Sequence, residues 1–191
     1  MKPFAALLFC LAVLSACSYS GPNVRPYVSW TGLVALQKLQ RDSGWAIDKN
    51  ASMYLVAPMG MDDPMFAVEL TEVFKRYYPH TRQSQFRESL NQAFVSARYA
   101  GMDYVVFPRI YTLEAQQSLG AVIRKEIPIK EFKMGEAQLD IYIFASQGEE
   151  LVDHLRLDTR GSLFTTDSRE LLWPPLDEYL RSVSQFSLAR R

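Results

Sequence analysis

Apolar residues recur at three- to four-residue spacing in several segments of the chain and alternate in others. Phe66, Leu70, Val73, Phe74 and Tyr77 form one stripe, with Glu69, Glu72, Lys75 and Arg76 largely off it. That spacing predicts an amphipathic helix. Asp63 suits its N-cap and Pro64 its first position, where the missing N–H costs nothing; Pro79 ends it. Phe86, Leu90, Ala93, Phe94 and Ala97 predict a second helix, with Ser84 as cap and Gly101 as stop. Leu176, Tyr179, Leu180, Val183 and Phe186 predict a third, with Pro175 in its first turn and Asp177 and Glu178 near the positive end of its dipole. Residues 30–41 carry Trp30, Leu33, Val34, Leu36 and Leu39 and also read as helix, which Gly32 weakens by about 1 kcal/mol.

The other apolar runs read as strands. Met53-Tyr54-Leu55-Val56-Ala57 is a short buried strand ending at Pro58, and residues 80–83 form a short extended piece. Asp103-Tyr104-Val105-Val106-Phe107 begins a strand that continues through 109–115. Pro108 cannot donate to a ladder, so a bulge or an edge position is expected there. Residues 136–145 alternate cleanly, and Leu151, Leu155 and Leu157 share one phase beyond Gln147-Gly148, which predicts a hairpin. A turn centred on Gln147-Gly148 would mix its faces. Pairing Ala145 with Leu151 keeps Ile141 opposite Leu155 and Leu139 opposite Leu157, and sets Asp140 opposite Arg156 and Glu136 opposite Arg160. As exposed pairs these would each contribute about 0.2–1 kcal/mol. The element order, β-α-β-α-β-β-β-α, predicts an α/β (mixed α+β) fold with a single mixed sheet of about five strands covered by helices.

Residues 116–135 fit no element. They interleave Arg124, Lys125, Lys130 and Lys133 with Val122, Ile123, Ile127, Ile129 and Phe132. They read either as a solvated excursion packed by its own apolar residues or as a partner-binding or membrane-facing flap, since basic residues beside apolar ones engage anionic lipid heads.

Composition narrows the classes. The 191 residues hold 21 Lys+Arg against 21 Asp+Glu, with 22% charged. This excludes a nucleic-acid binder that works by neutralising phosphates. At 48% hydrophobic the chain can bury enough apolar surface to offset chain entropy. The N-terminus sharpens the picture further. Residues 4–14 form an uncharged run after Met1-Lys2-Pro3. The run is too short to span a bilayer, which takes about 20 residues. It matches a secretory signal core of about 7–15 residues. Leu14-Ser15-Ala16-Cys17 then resembles the bacterial lipobox, in which small residues fit the peptidase and the cysteine thiol accepts lipid.

The lipobox implies removal of residues 1–16, acylation of Cys17, a tether over 17–29 and one periplasmic domain over 30–188. Removing the first 16 of 191 residues takes away Cys10 and Lys2, leaving 175 residues with one cysteine and 20 Lys+Arg against 21 Asp+Glu. No disulfide is then possible. No metal and no cofactor is expected besides the covalent lipid. Acyl chains contribute about 0.8 kcal/mol per buried CH₂, so several anchor the chain stably without a spanning helix. Ser18 follows the cysteine, and resemblance to sorted lipoproteins implies the outer membrane.

Two further segments resemble known families. Ala97-Arg98-Tyr99-Ala100-Gly101-Met102-Asp103-Tyr104-Val105-Val106 is similar to the helix, Gly, x, Asp, Tyr, strand segment of small periplasmic α/β domains. Those include TolB N-terminal-like domains and the lipoproteins of curli secretion and of penicillin-binding-protein activation. Arg160-Gly161-Ser162-Leu163-Phe164 and Glu170-Leu171-Leu172-Trp173-Pro174-Pro175-Leu176-Asp177-Glu178-Tyr179 resemble an uncharacterised family of Gram-negative lipoproteins, a domain of unknown function. That resemblance runs through most of the mature chain. It implies a fold and an address but no activity.

Candidate chemistry is sparse. No Gly-x-Ser-x-Gly elbow, phosphate loop or His-Glu-x-x-His occurs. His80 reads as a loop residue, and His154 lies on the outward phase of its strand. Asp62 and Asp63 follow a strand end, where α/β proteins place ligands, and Met59 and Met61 offer adaptable apolar contacts beside them. Three functions compete. The leading one is a non-enzymatic accessory domain that binds an envelope protein. The alternatives are a small-ligand or peptidoglycan-fragment module at residues 59–63 and a hydrolase using Asp62 or Asp63.

Overall fold

A computed structural model describes residues 34–41, 46–60, 63–114, 124, 134–161 and 168–185. The strands are β1 (Val34–Arg41), β2 (Met53–Leu55), β3 (Thr81–Gln83), β4 (Tyr104–Glu114), β5 (Glu136–Ala145) and β6 (Leu151–Gly161). The helices are α1 (Pro64–Lys75), α2 (Leu90–Tyr99) and α3 (Trp173–Gln185), with a short 3-10 helix at Ser168–Leu171. The strands form one mixed sheet in the order β1-β6-β5-β4-β2-β3. The β3-β2-β4 part is parallel and the β4-β5-β6-β1 part antiparallel.

The expected α/β sheet is present with a sixth strand. Val34–Arg41 is strand where helix was expected, and it pairs antiparallel with β6 from Val34↔Gly161 to Arg41↔Leu155. A register shift between Val34 and Leu36 breaks the strand alternation. The apolar positions therefore imitate helical spacing. Tertiary pairing with the 11-residue β6 overrides that local pattern.

Helices α1 and α3 and the 3-10 helix pack on one face of the sheet over Leu55, Val106, Leu139, Ile141, Leu155 and Leu157. Phe66 and Trp173 stack across α1 and α3, with ring centroids 5.1 Å apart. Helix α2 covers Tyr54, Val56 and Val105 on the other face. Among the described residues the expected stripes of α1 and α3 are buried, except that Tyr77 is half-buried, and in the α2 stripe Phe86 does not take part. Phe86 lies outside α2 and is 74% exposed, whereas Phe186 lies outside the described residues. The α2 cap is Ser89, in a capping box with Gln92, rather than Ser84. Ser84 is buried instead, accepting from Ala57 N at 2.8 Å and donating to Phe86 O at 2.8 Å.

Gly101 stops α2 in the left-handed region, at φ +67°. Its amide donates to Arg98 O, and that of Met102 donates to Ala97 O, which closes the helix end. Two residues on, Asp103 Oδ2 accepts from both Ser52 N and Ser52 Oγ at 2.8 Å. The Gly-x-Asp-Tyr segment thus has a structural role: it ends α2, then clamps the start of β2 beside β4.

Pro108 is paired with Ile141 on its β5 side. On the β2 side, extending the Leu55↔Val106 register would require N–H groups from Pro108 and Pro58, and neither has one. The ladder opens there and resumes at Met59, which donates to Pro108 O at 3.3 Å and accepts from Ile110 N at 2.9 Å. The bulge falls between Ile110 and Thr112 instead of at Pro108. The β5–β6 hairpin has the expected pairs Ile141↔Leu155, Leu139↔Leu157, Asp140↔Arg156 and Glu136↔Arg160. At its tip a shift between Ile143 and Phe144 sets Phe144, not Ala145, opposite Leu151.

Candidate functional site

The loop after β2 leads from the ladder into α1. Gly60 sits at φ +94°, where a Cβ would lie 2.3 Å from the Ile110 carbonyl oxygen, so only glycine fits. Asp63 is the N-cap of α1. Its Oδ1 accepts from Met65 N at 2.9 Å, and its Oδ2 pairs with Arg169 at 3.1 Å. The loop carboxylate therefore faces a cation from the 3-10 helix. Met59 is 43% exposed. Cys17, Met61, Asp62, Lys125 and Lys130 lie outside the described residues, and Arg124 is an exposed turn residue. Asp63→Ala should destabilise the protein by about 1 kcal/mol through loss of the cap, with the ion pair adding little because it is partly exposed. Urea unfolding checks this, and an unchanged midpoint would show that the cap is dispensable.

Three clefts of about 370, 530 and 390 Å³ lie among the described residues. They adjoin Ser52 and His80, the outer side of α2 at Phe86 and Val95, and the β3 edge beside α1. None of the three is lined by residues of the 59–63 loop.

A polar cluster lies elsewhere among the described residues, on the part of the α2 face beyond α2. Asp140 on β5 is fully buried there. Its Oδ1 accepts from Arg156 Nε at 2.8 Å and its Oδ2 from Arg156 Nη2 at 2.6 Å, a two-pronged pair. Tyr142 Oη donates to Oδ2 at 3.2 Å, and His154 Nε2 lies 3.5 Å from the same oxygen. His154 stacks on Tyr142 with centroids 4.4 Å apart and planes 5° from parallel. A row of rings connects this cluster to the core under α2, from Tyr142 through Phe144 to Phe94. Tyr111, the residue at the β4 bulge, lies under both Arg109 and Arg156, with Cζ atoms 5.1 and 5.9 Å from its ring centre.

The sequence places Asp140 opposite Arg156 as an exposed pair. The register is as expected, but the exposure is not: the carboxylate is fully buried. Burial pushes the Asp140 carboxyl up. The Arg156 hydrogen bonds and charge, aided by His154 and Tyr142, more than reverse this and hold it below the ordinary carboxylate range. Arg156 is raised in turn by its hydrogen bonds to Asp140 and by that charge. Tyr142 is pushed up to about 12, first by burial, then by its bond to Tyr111 and by Asp140. No motif announces this cluster. The signal available in the sequence is that Arg109, Asp140, Tyr142, His154 and Arg156 share one strand phase.

No helix among the described residues is long and apolar enough to cross a membrane. No curated protein matches the chain. Among solved structures, the PelC dodecamer from Paraburkholderia phytofirmans is similar at 10% identity and a TM-score of 0.60, over 78% of this chain and 98% of that one. Lipoprotein GNA1162 from Neisseria meningitidis matches at 11% identity and a TM-score of 0.41, over 73% of this chain and 98% of that one. TolB from Acinetobacter baumannii matches at 14% identity and a TM-score of 0.33, over 66% of this chain and 27% of that one. The first of these likenesses is one of fold. The family described as a domain of unknown function, DUF4823, matches residues 28–183, and the chain belongs to that family.

Proposed function

We propose that this protein is a lipoprotein of the bacterial cell envelope, held by acyl chains on Cys17 at the periplasmic face of the outer membrane. Its single domain acts there as a non-enzymatic accessory domain that binds another envelope protein. The observation that carries this reading is the uncharged run at 4–14 ending in Leu14-Ser15-Ala16-Cys17. A tether over 17–29, at about 3.3 Å per residue, keeps the domain within a few nanometres of the bilayer. A ligand module or hydrolase at residues 59–63 would have to act with Asp63 already bound to Met65 and Arg169.

The test is affinity recovery of the tagged chain from crosslinked envelopes, beside the Cys17→Ala variant. The expected result is one specific envelope partner with the native chain and its loss when the variant leaves the membrane fraction. Repeated recovery of no partner would overturn the interaction role.

A further inference from the structure

The part of this sheet face beyond α2 holds a charge arrangement that packing alone does not require. Burying a carboxylate costs several kcal/mol unless it is well paired, and an apolar residue at 140 would cover the same area. The effect of Asp140 is to fix one guanidinium. Arg156 is held by two bonds through Nε and Nη2, yet its side chain stays 43% exposed. Arg109 is exposed and lies over the Tyr111 ring. The neighbouring Arg160 is matched, pairing with Glu136 at 3.0 Å.

Arg109 and Arg156 against Asp140 leave one net positive charge on side chains that reach solvent, beside a ring that is 45% exposed. A guanidinium fork fits two oxygens of a singly charged oxyanion. Tyrosine rings settle at the headgroup level of a bilayer. We propose that Arg109 and Arg156, set against Tyr111, hold the phosphodiester of an anionic phospholipid, so that this face of the sheet rests on the membrane surface. The proposal rests on the lipoprotein reading, because the acyl tether brings the domain to the bilayer.

The full chain carrying Cys17→Ala, which lacks the acylated thiol, is sedimented with two kinds of vesicle. One is pure phosphatidylcholine, and the other contains one quarter phosphatidylglycerol. The apolar N-terminal run contributes alike to both, so the difference between them isolates the charge effect. The expected result is tighter binding to the anionic vesicles, weakened by salt and reduced about fivefold by Arg109→Gln. Arg156→Gln alone would leave a buried carboxylate unpaired. The double variant Asp140→Asn/Arg156→Gln therefore tests the second cation, with circular dichroism to check folding, and a similar reduction is expected. Equal binding to both vesicles, or full binding by Arg109→Gln, would overturn the proposal. Binding of inorganic phosphate that Arg109→Gln abolishes, with no preference for the anionic vesicles, would assign the pair to a soluble anion and overturn the lipid source. Because Cys17 is absent from every arm, these outcomes are independent of whether it is acylated.

Discussion

Arg156→Ala should destabilise the protein by about 3 kcal/mol at neutral pH, the low end of the range for breaking a buried pair. The low end applies because water reaches the guanidinium, which is 43% exposed, whereas the Asp140 side chain is 0% exposed. What remains is an uncompensated buried carboxylate with Tyr142 and His154 as its partners. Replacing both members by leucine should cost far less than either single change, since well-packed apolar residues of similar volume often substitute for such pairs.

The pH dependence gives a sharper signature. In the native protein the Asp140 carboxyl is held below its ordinary value. Its contribution to stability is therefore fully present above about pH 4 and is lost as pH falls through the folded value. Without Arg156, burial dominates and the carboxyl moves up. Its protonated form is then favoured in the folded state, so the variant recovers relative stability as the pH falls. The gap between native and variant proteins in urea should narrow steadily from pH about 7 to about 4. A gap that stays constant would mean that Asp140 is not the buried charge described.

Gly60→Ala should cost roughly 3 kcal/mol. The left-handed conformation alone costs about 1–2 kcal/mol for a residue with a Cβ. The new atom would also sit 2.3 Å from Ile110 O and 3.3 Å from Ile110 C, which are backbone atoms that cannot rotate away. Relief means moving the segment that holds the bonds from Met59 N to Pro108 O and from Ile110 N to Met59 O, each contributing about 1 kcal/mol. For a chain of this size the thermal midpoint should fall by about 6–12 °C. Gly101→Ala is the control: at φ +67° it has nothing within 4 Å of its Cβ, so it should show only the conformational part. Equal shifts for the two variants would contradict the close approach at Gly60.

Much of the fold is legible in the chain because its signals are local. Asp63-Pro64 marks the start of α1, Gly101 ends α2, and the phase of the β5–β6 leucines sets the hairpin register. The misreadings arise where distant partners decide. Residues 34–41 lack clean alternation and become a strand because β6 offers an open edge. Ser84 loses its capping role to Ser89 because Ala57, 27 residues away, binds its hydroxyl. Asp140 lies on the face that alternation assigns to it. It is buried there and bound by Tyr142 and Arg156 beside His154, and strand periodicity carries no information about those contacts. The 59–63 loop illustrates the same limit, since Arg169 reaches Asp63 from 106 residues away.

Metabolic labelling decides whether Cys17 carries the lipid anchor. Cells expressing the native chain and the Cys17→Ala variant are grown with radioactive palmitate, and the purified proteins are compared. The account predicts label on the native chain, none on the variant, and a native N-terminus at Cys17. Undiminished labelling of the variant, or an unlabelled native chain, would contradict it.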